Sequence, residues 1–189
     1  KPKELIIIEK DKFLYDLLSN KYKNVKNVKI LSNDALKINY SNKKNIIIIS
    51  NLPYNISTKF IIHLLKNFNN IKEMIFMVQK EVAIKMDYKK NIKQNKYSLF
   101  INSISKYETI FHISNKVFYP RPKIKSSVIR INPTNDKDID KNKLWNFTFE
   151  LFKNKRKKIK MLDYKDDKKN SKRAEDLNYI DFWKLFNQF

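Results

Sequence analysis

The sequence predicts an α/β protein built on a mostly parallel sheet, and the order of its apolar segments carries that prediction. Strand-like segments occur at residues 5–8, 28–31, 46–49 and 74–78. Three of them (5–8, 46–49 and 74–78) are apolar runs typical of buried strands, and the continuous 46–49 run is typical of a strand buried on both faces. Apolar residues at helical spacing occur at residues 11–18, 57–67, 81–86 and 97–104. Strands that alternate with helices are typical of a doubly wound sheet.

Two later segments, residues 107–113 and 124–131, alternate apolar and polar side chains with no helix between them. This pattern predicts an antiparallel pair at one edge of the sheet. The composition changes after Pro133, and from Leu144 onward the apolar spacing is helical only. We therefore predict an α/β domain over residues 1–133 and a small all-α domain over residues 134–189. Ser57 and Asp176 are the predicted caps of two helices.

The charge balance indicates a polyanionic partner. The 189 residues contain 41 Lys plus Arg against 19 Asp plus Glu, a net charge of +22, which favours nucleic acid over a membrane surface. Neither a run of transmembrane length nor a signal-peptide pattern is visible. With no Cys and two isolated His, the sequence offers no metal site. Glycine is absent, so these residues contain no glycine-rich nucleotide-binding loop.

Two carboxylates follow predicted strands, at the strand ends where open α/β sheets bind ligands. Glu9 ends the first strand, where an acidic side chain can accept both hydroxyls of a ribose. Asp34 follows the second strand and can accept the amine of an adenine ring. Each carboxylate alone has an ordinary explanation as a helix-terminal or turn residue. The pair at neighbouring strand ends is more specific.

The segment Asn51-Leu52-Pro53-Tyr54 follows the 46–49 strand and is either a plain proline turn or a site for an aromatic amine. Such an amine is a poor nucleophile because its lone pair is delocalised into the ring. The Asn51 side-chain oxygen and the Leu52 carbonyl can orient it, with Pro53 fixing the turn. Tyr54 offers a ring for a flipped base, an interaction worth roughly 1–3 kcal/mol.

Two further segments are candidates for RNA or DNA contacts. In the stiff two-proline loop, Phe118 can close the other face of the base, and Arg121 and Lys123 can hold phosphates, although an ordinary rigid loop has the same composition. Residues 153–160 form a dense basic cluster. Charge runs are usually solvated faces, but a net charge of +22 favours phosphate binding by its members Lys153, Lys155, Arg156, Lys157 and Lys158.

Together these segments resemble one family over essentially the whole chain, the small-subunit ribosomal RNA adenine dimethyltransferases. The tetrapeptide alone would not separate this family from DNA adenine or protein glutamine methyltransferases, but the two-proline segment and the basic tail do. The matching motifs are Ile8-Glu9-x-Asp11, Asn33-Asp34-Ala35-Leu36, residues 51–57, residues 77–83, Phe118-x-Pro120-x-Pro122-Lys123-x-x-Ser126-x-Val128, residues 152–162 and Arg173-Ala174-Glu175-x-Leu177.

The resemblance implies a class I methyltransferase (Rossmann-like) fold with a small C-terminal helical RNA-binding domain. The methyl donor would be S-adenosylmethionine, with no metal. Glu9 and the adjoining Lys10 would bind the donor ribose, and Asp34 with Ala35 the donor adenine. Asn51 would lie between the donor and the target amine.

The resemblance also implies the substrate. Tyr54 and Phe118 would flank the target base, beside Leu52 and Pro53. Two adjacent adenosines near the 3′ end of small-subunit rRNA would each receive two methyl groups. The protein would act as a monomer on a precursor of the small ribosomal subunit, without a membrane, in the cytoplasm of a bacterium or in a mitochondrion or plastid.

Two departures from the family stand out. Lys125 occupies a position where the family usually has an acidic residue, which should affect RNA contacts more than chemistry. The family also begins with a central strand and a glycine-rich loop, and neither is present in these residues. We therefore expect that this sequence is an incomplete record of the functional protein and that it would not methylate RNA by itself.

Two other functions stay open from the residues. One is a non-catalytic RNA- or DNA-binding relative, such as a ribosome-assembly factor or a mitochondrial transcription factor. The intact tetrapeptide, Glu9 and Asp34 argue against lost chemistry, whereas the missing glycine loop argues for it. The other is a DNA adenine methyltransferase.

Overall fold

The computed structural model describes residues 2–89, 93–134, 138–154, 157–160 and 171–189, and the chain forms two compact units, residues 1–42 and 43–189. Both are α/β in construction. None of the helices in the described ranges combines the length and apolarity needed to cross a membrane.

The first unit is a strand–helix–strand motif. Strand β1 (Leu5–Glu9), helix α1 (Lys12–Tyr22) and strand β2 (Val28–Ser32) follow one another, and the two strands pair in parallel. Asp11 caps α1 by accepting the Leu14 amide at 2.9 Å. The prediction that 5–8 is a buried strand is wrong: Leu5 and Ile6 are exposed, and α1 has no buried residue.

The second unit contains a four-stranded sheet in the order β3-β4-β6-β5. Strands β3 and β4 are parallel, whereas β6 is antiparallel to both β4 and β5, which confirms the predicted antiparallel pair at one edge. The strands and helices of this unit are β3 (Ile46–Asn51), α2 (Ser57–Asn67), β4 (Ile71–Gln79), α3 (Lys80–Met86), α4 (Lys96–Ile104), β5 (Ser105–Ile113), β6 (Ser126–Pro133), α5 (Lys141–Lys153), β7 (Lys158–Lys160), β8 (Ser171–Arg173) and α6 (Tyr179–Gln188).

The core of the second unit is built on β4, one of the two inner strands of its sheet. Phe76 is fully buried there and contacts Phe60 of α2 edge to face, with 6.0 Å between ring centroids. The apolar stripe of α2 is buried as its helical spacing predicts. Strand β3 differs from prediction, because Ile49 is 73% exposed and Ile47 is also exposed, so only one of its faces is covered.

Both predicted helix caps are wrong. Ser57 is the first residue of α2 and donates its hydroxyl to the Tyr54 carbonyl at 3.2 Å instead of capping. Helix α6 is capped by Asn178, whose side chain accepts the Asp181 amide at 2.8 Å. Asp176 belongs to the short 3-10 turn that precedes α6.

The C-terminal helices pack through aromatic rings. Trp145 of α5 lies 5.0 Å from Phe100 of α4, and Phe147 lies 5.4 Å from Phe182 of α6, measured between centroids. Two three-residue strands, β7 and β8, pair between these helices, a detail that helical spacing does not predict. The domain boundary at 133/134 stays a prediction.

Candidate active site

The first unit brings Glu9 and the 33–34 segment together at the carboxyl ends of its two strands. Glu9 Oε1 accepts the amides of Lys10 and Asp11, both at 2.8 Å, and its carbonyl accepts the Asn33 amide at 3.0 Å. Within the described ranges no group donates to Glu9 Oε2. One carboxylate oxygen therefore holds the turn and the other is available to a ligand.

Both carboxylate oxygens of Asp34 accept hydrogen bonds. Oδ1 accepts the Leu36 amide at 3.0 Å and Oδ2 accepts Lys10 Nζ at 3.2 Å. The hydrogen bond from Leu36, followed by the one from Lys10, lowers the pKa of Asp34, so this side chain is a carboxylate at neutral pH. Asp34 also caps the 3-10 turn Ala35–Lys37, so the ordinary turn role holds alongside the predicted one.

The buried Tyr40 is hydrogen-bonded to the same segment. Its hydroxyl donates to the Ala35 carbonyl at 2.9 Å. Burial, with a smaller contribution from the Asp34 charge, raises the pKa of Tyr40 to about 12, so the phenol stays protonated. The structure thus brings four predicted residues together here, namely Glu9, Lys10, Asp34 and Ala35.

In the second unit, Asn51 ends β3 and the chain turns sharply after it. The buried Leu52 donates its amide to the Met77 carbonyl of β4 at 3.2 Å, which fixes the backbone at the sheet edge. The Pro53 carbonyl accepts the amides of Ile56 and Ser57, each at 3.1 Å, and so starts α2. This geometry confirms that the tetrapeptide lies at the carboxyl end of a strand that pairs in parallel.

The polar groups of this turn point to ligand binding more than to structure. The Asn51 side chain is exposed, and among the described residues it makes no hydrogen bond. No side chain or loop amide of those residues donates to the Leu52 carbonyl. Two oxygen acceptors on consecutive residues are therefore available at the end of β3, as an amine-binding site requires.

Tyr54 is anchored by a residue far away in sequence. Its hydroxyl lies 3.2 Å from the hydroxyl of Ser126, which is fully buried at the start of β6. The bond fixes one end of the ring and leaves Tyr54 partly exposed. Ser126 is absent from the residues predicted for the site. The one signal in the sequence is a serine at the point where the two-proline loop enters a strand.

The two-proline loop is held by Asn115. The Asn115 amide donates to the Pro122 carbonyl at 3.1 Å, and its oxygen accepts Arg121 at 3.4 Å. Phe118 is half-buried, Tyr119 is fully exposed and Lys123 is exposed. At its end the loop joins the sheet, because the Lys125 carbonyl accepts the Lys80 amide at 3.0 Å.

The basic cluster is only partly described. Lys153 ends α5 and pairs with Glu150 at 3.4 Å, Lys157 is exposed, and Lys158 is exposed in β7. Lys155 and Arg156 lie outside the described residues. The structure does not bring this cluster into hydrogen-bonded contact with the tetrapeptide through any described residue.

Neither histidine has the surroundings of a metal ligand. His63 Nδ1 lies 3.1 Å from the Asn67 amide, and His112 Nδ1 lies 2.8 Å from Ser127 Oγ. No group of three or more His, Asp or Glu side chains in the described ranges is arranged to hold a metal ion.

Comparison with known proteins gives consistent matches. The family described as ribosomal RNA adenine dimethylase matches residues 2–178. The chain is 33% identical over 187 residues to ribosomal RNA small subunit methyltransferase A of a Hydrogenobaculum species, covering 98% of this chain and 73% of that protein. It is 34% identical over 209 residues to the protein of the same name from Wigglesworthia glossinidia brevipalpis, covering 98% of this chain and 78% of that one.

Two solved structures share the fold. A dimethyladenosine transferase from Plasmodium falciparum superposes with a TM-score of 0.79 at 20% identity, covering 99% of this chain and 82% of that one. The 23S rRNA methyltransferase ErmE superposes with a TM-score of 0.77 at 16% identity, covering 100% and 82%. The likeness confirms the predicted Rossmann-like methyltransferase fold.

Proposed function

Because the chain belongs to the ribosomal RNA adenine dimethylase family, we propose that it dimethylates the exocyclic amines of two adjacent adenosines near the 3′ end of small-subunit rRNA. The observation that carries this proposal is the pair of available oxygen acceptors, Asn51 Oδ1 and the Leu52 carbonyl, at the carboxyl end of β3 beside an anchored tyrosine ring.

The two acceptors suit the chemistry of an adenine amine. Hydrogen bonds from its N–H groups to Asn51 and Leu52 turn the lone pair out of conjugation with the ring and direct it toward the methyl group of the donor. S-adenosylmethionine supplies an electrophilic methyl group on a sulfonium. The nitrogen forms one bond to that carbon, the carbon–sulfur bond breaks, and the nitrogen then releases one proton to water. No general base is required.

The second methyl transfer places a further demand on the site. A monomethyl amine has one N–H left, so one acceptor suffices and the other must leave room for the first methyl group. The exposed Asn51 side chain has no described partner to hold it in place, so it can rotate aside. The Leu52 amide is held by Met77 and its carbonyl is bonded to Pro53, whose ring restricts the turn, so this backbone carbonyl is the constant acceptor.

We propose that residues of the first unit bind S-adenosylmethionine. Glu9 Oε2 is available to ribose hydroxyls, and the Asp34–Ala35 segment is proposed to hold the adenine. In the second unit, Phe118 is proposed to face the target base, and Arg121, Lys123 and the 153–158 cluster to bind phosphates. We also propose that the protein acts as a monomer on a pre-ribosomal particle, either in a bacterial cytoplasm or in a mitochondrion or plastid.

The test is mass spectrometry of small-subunit rRNA from cells depleted of the protein. We expect the two dimethyladenosines to disappear and to return when the natural gene is restored. Retention of both modified adenosines after depletion would overturn the proposal. A restored gene that carries Glu9→Gln and Asp34→Asn serves as the inactive control.

We further propose that these 189 residues alone bind S-adenosylmethionine weakly. Among the described residues β1 pairs only with β2, and β3 pairs only with β4, so each has one edge without a strand partner. Isothermal titration of the chain with S-adenosylmethionine should give a Kd weaker than about 1 mM. Micromolar binding would contradict this prediction.

A second prediction concerns the Tyr54–Ser126 bond. Tyr54→Phe and Ser126→Ala each remove this hydrogen bond, which contributes about 0.5–1.5 kcal/mol. Each variant should therefore lower kcat/KM for rRNA about 2- to 10-fold. Because both changes remove the same bond, the double variant should be no worse than the poorer single one.

The matched control for that cycle is Tyr119→Phe. It removes a phenol hydroxyl from a fully exposed ring in the neighbouring loop, and we expect wild-type activity. Additive losses in the Tyr54 and Ser126 double variant would show that the two hydroxyls act independently.

A further inference from the structure

A polar pocket lies at the edge of the sheet opposite to Asn51. It has a volume of about 300 Å³ and forms where β3 and β4 begin and β6 ends. Its lining contains two lysines, three asparagines and no acidic side chain; the residues are Lys44, Asn45, Asn69, Asn70, Ile71, Lys72 and Pro133. Nothing in the proposed transfer reaction uses this pocket.

A buried lysine contacts one residue of the pocket lining. Lys141, at the start of α5, is only 8% exposed and donates its ammonium to Asn69 Oδ1 at 2.6 Å. In the described ranges no carboxylate lies within ion-pairing distance of it. Burial lowers the pKa of Lys141, the sign of a cation short of compensation. A buried, unneutralised charge is costly, and a nearby anion would reduce that cost.

The same contact sets the orientation of Asn69. An ammonium can only donate, so the oxygen of the Asn69 amide faces Lys141, and the NH₂ group of this lining residue is left as a donor. Lys44 and Lys72 are both exposed and add two cationic donors. The pocket therefore presents donors and positive charge, without an aromatic ring on which a base could stack.

We propose that this pocket binds a phosphate group of the RNA substrate, far from the methylated adenosines; the inference rests on the proposed function. The six residues of β3 separate the pocket from Asn51 by roughly 17–20 Å. An rRNA segment can span that distance, whereas a single nucleotide in the active site cannot. The pocket thus acts as a second point of attachment that sets the register of the RNA.

The test compares two variants of the natural gene product with equal loss of charge. Lys44→Gln with Lys72→Gln removes both pocket cations, and Lys23→Gln with Lys26→Gln removes two exposed lysines of the first unit. Affinity for a small-subunit rRNA segment is measured over a salt series. We expect the pocket variant to bind about 5- to 10-fold more weakly near 0.1 M salt, with a log–log salt slope smaller by about 1–2.

The control variant should bind within about 2-fold of wild type, because its lysines make no phosphate contact. Charge reversal, Lys44→Glu with Lys72→Glu, should weaken binding further while the thermal melting curve stays unchanged. Equal binding by the pocket and control variants would overturn the inference, as would a loss of affinity with no change in the salt slope.

Failure of this inference is distinguishable from failure of the proposed function. A wild-type protein that dimethylates rRNA, together with pocket and control variants that bind alike, overturns the pocket alone. Retention of the dimethyladenosines after depletion overturns the function, whereas a selective loss of RNA affinity in the pocket variant still supports the phosphate site.

Discussion

Asn51→Ala is expected to lower methyl transfer to rRNA at least about 100-fold, as removal of a single stabilising polar group from other active sites does. The affinity for RNA should stay within about 3-fold, because the side chain is proposed to act on the amine during transfer and not to hold the substrate. The readouts are single-turnover methylation and equilibrium RNA binding, both in the natural gene product.

Two further variants sharpen this experiment. Asn51→Asp keeps an oxygen acceptor at the same place, so its activity should fall between those of Ala and Asn. Asn24→Ala, at an exposed turn of the first unit, should behave as wild type. If Asn51→Ala instead loses RNA affinity in proportion to activity, the side chain is a binding residue and the proposed alignment of the amine is wrong.

Phe76→Ala should lower the free energy of unfolding by about 3–5 kcal/mol. Phe76 is fully buried in the inner strand β4 and packs edge to face on Phe60. Its removal leaves a cavity between α2 and the sheet that the strand cannot close. The 189-residue chain is titrated with denaturant and followed by circular dichroism, and the loss appears as a shift of the unfolding midpoint.

Phe111→Ala is the matched control, since this ring lies on the edge strand β5 and is 52% exposed. We expect it to cost less than about 1 kcal/mol. Equal losses for the two variants would mean that β4 is not the centre of the core.

The sequence predicts the strands and helices well where their apolar spacing is regular, as in α2 and β4. It also places the tetrapeptide at a strand end, which the structure confirms at Asn51. Burial is harder to predict, because a continuous apolar run such as 46–49 does not show which face of the strand is covered. In the structure Ile49 is exposed. The cap of α6 was mispredicted for a related reason: Asn178 and Asp176 are both good capping residues, and the local sequence does not decide between them.

The site could be predicted only as separate segments. The Tyr54–Ser126 bond joins residues that are 72 positions apart, and it follows from the register in which Gln79 of β4 faces Ser126 of β6. Strand register depends on the whole sheet and is not visible in a local motif. The same limit applies to the pocket around Asn69, whose lining comes from three strand ends.

The reversed direction of β6 has a consequence for how such a protein can change. Because β6 runs antiparallel to β4 and β5, Ile113 and Ser126 face each other at the edge of the sheet where Gln79 also ends. The loop between them therefore begins and ends at paired positions of one rigid frame. Changes in its length or in its exposed residues therefore leave the strand order and register intact, whereas a change at Phe118 would alter the proposed base-binding site itself.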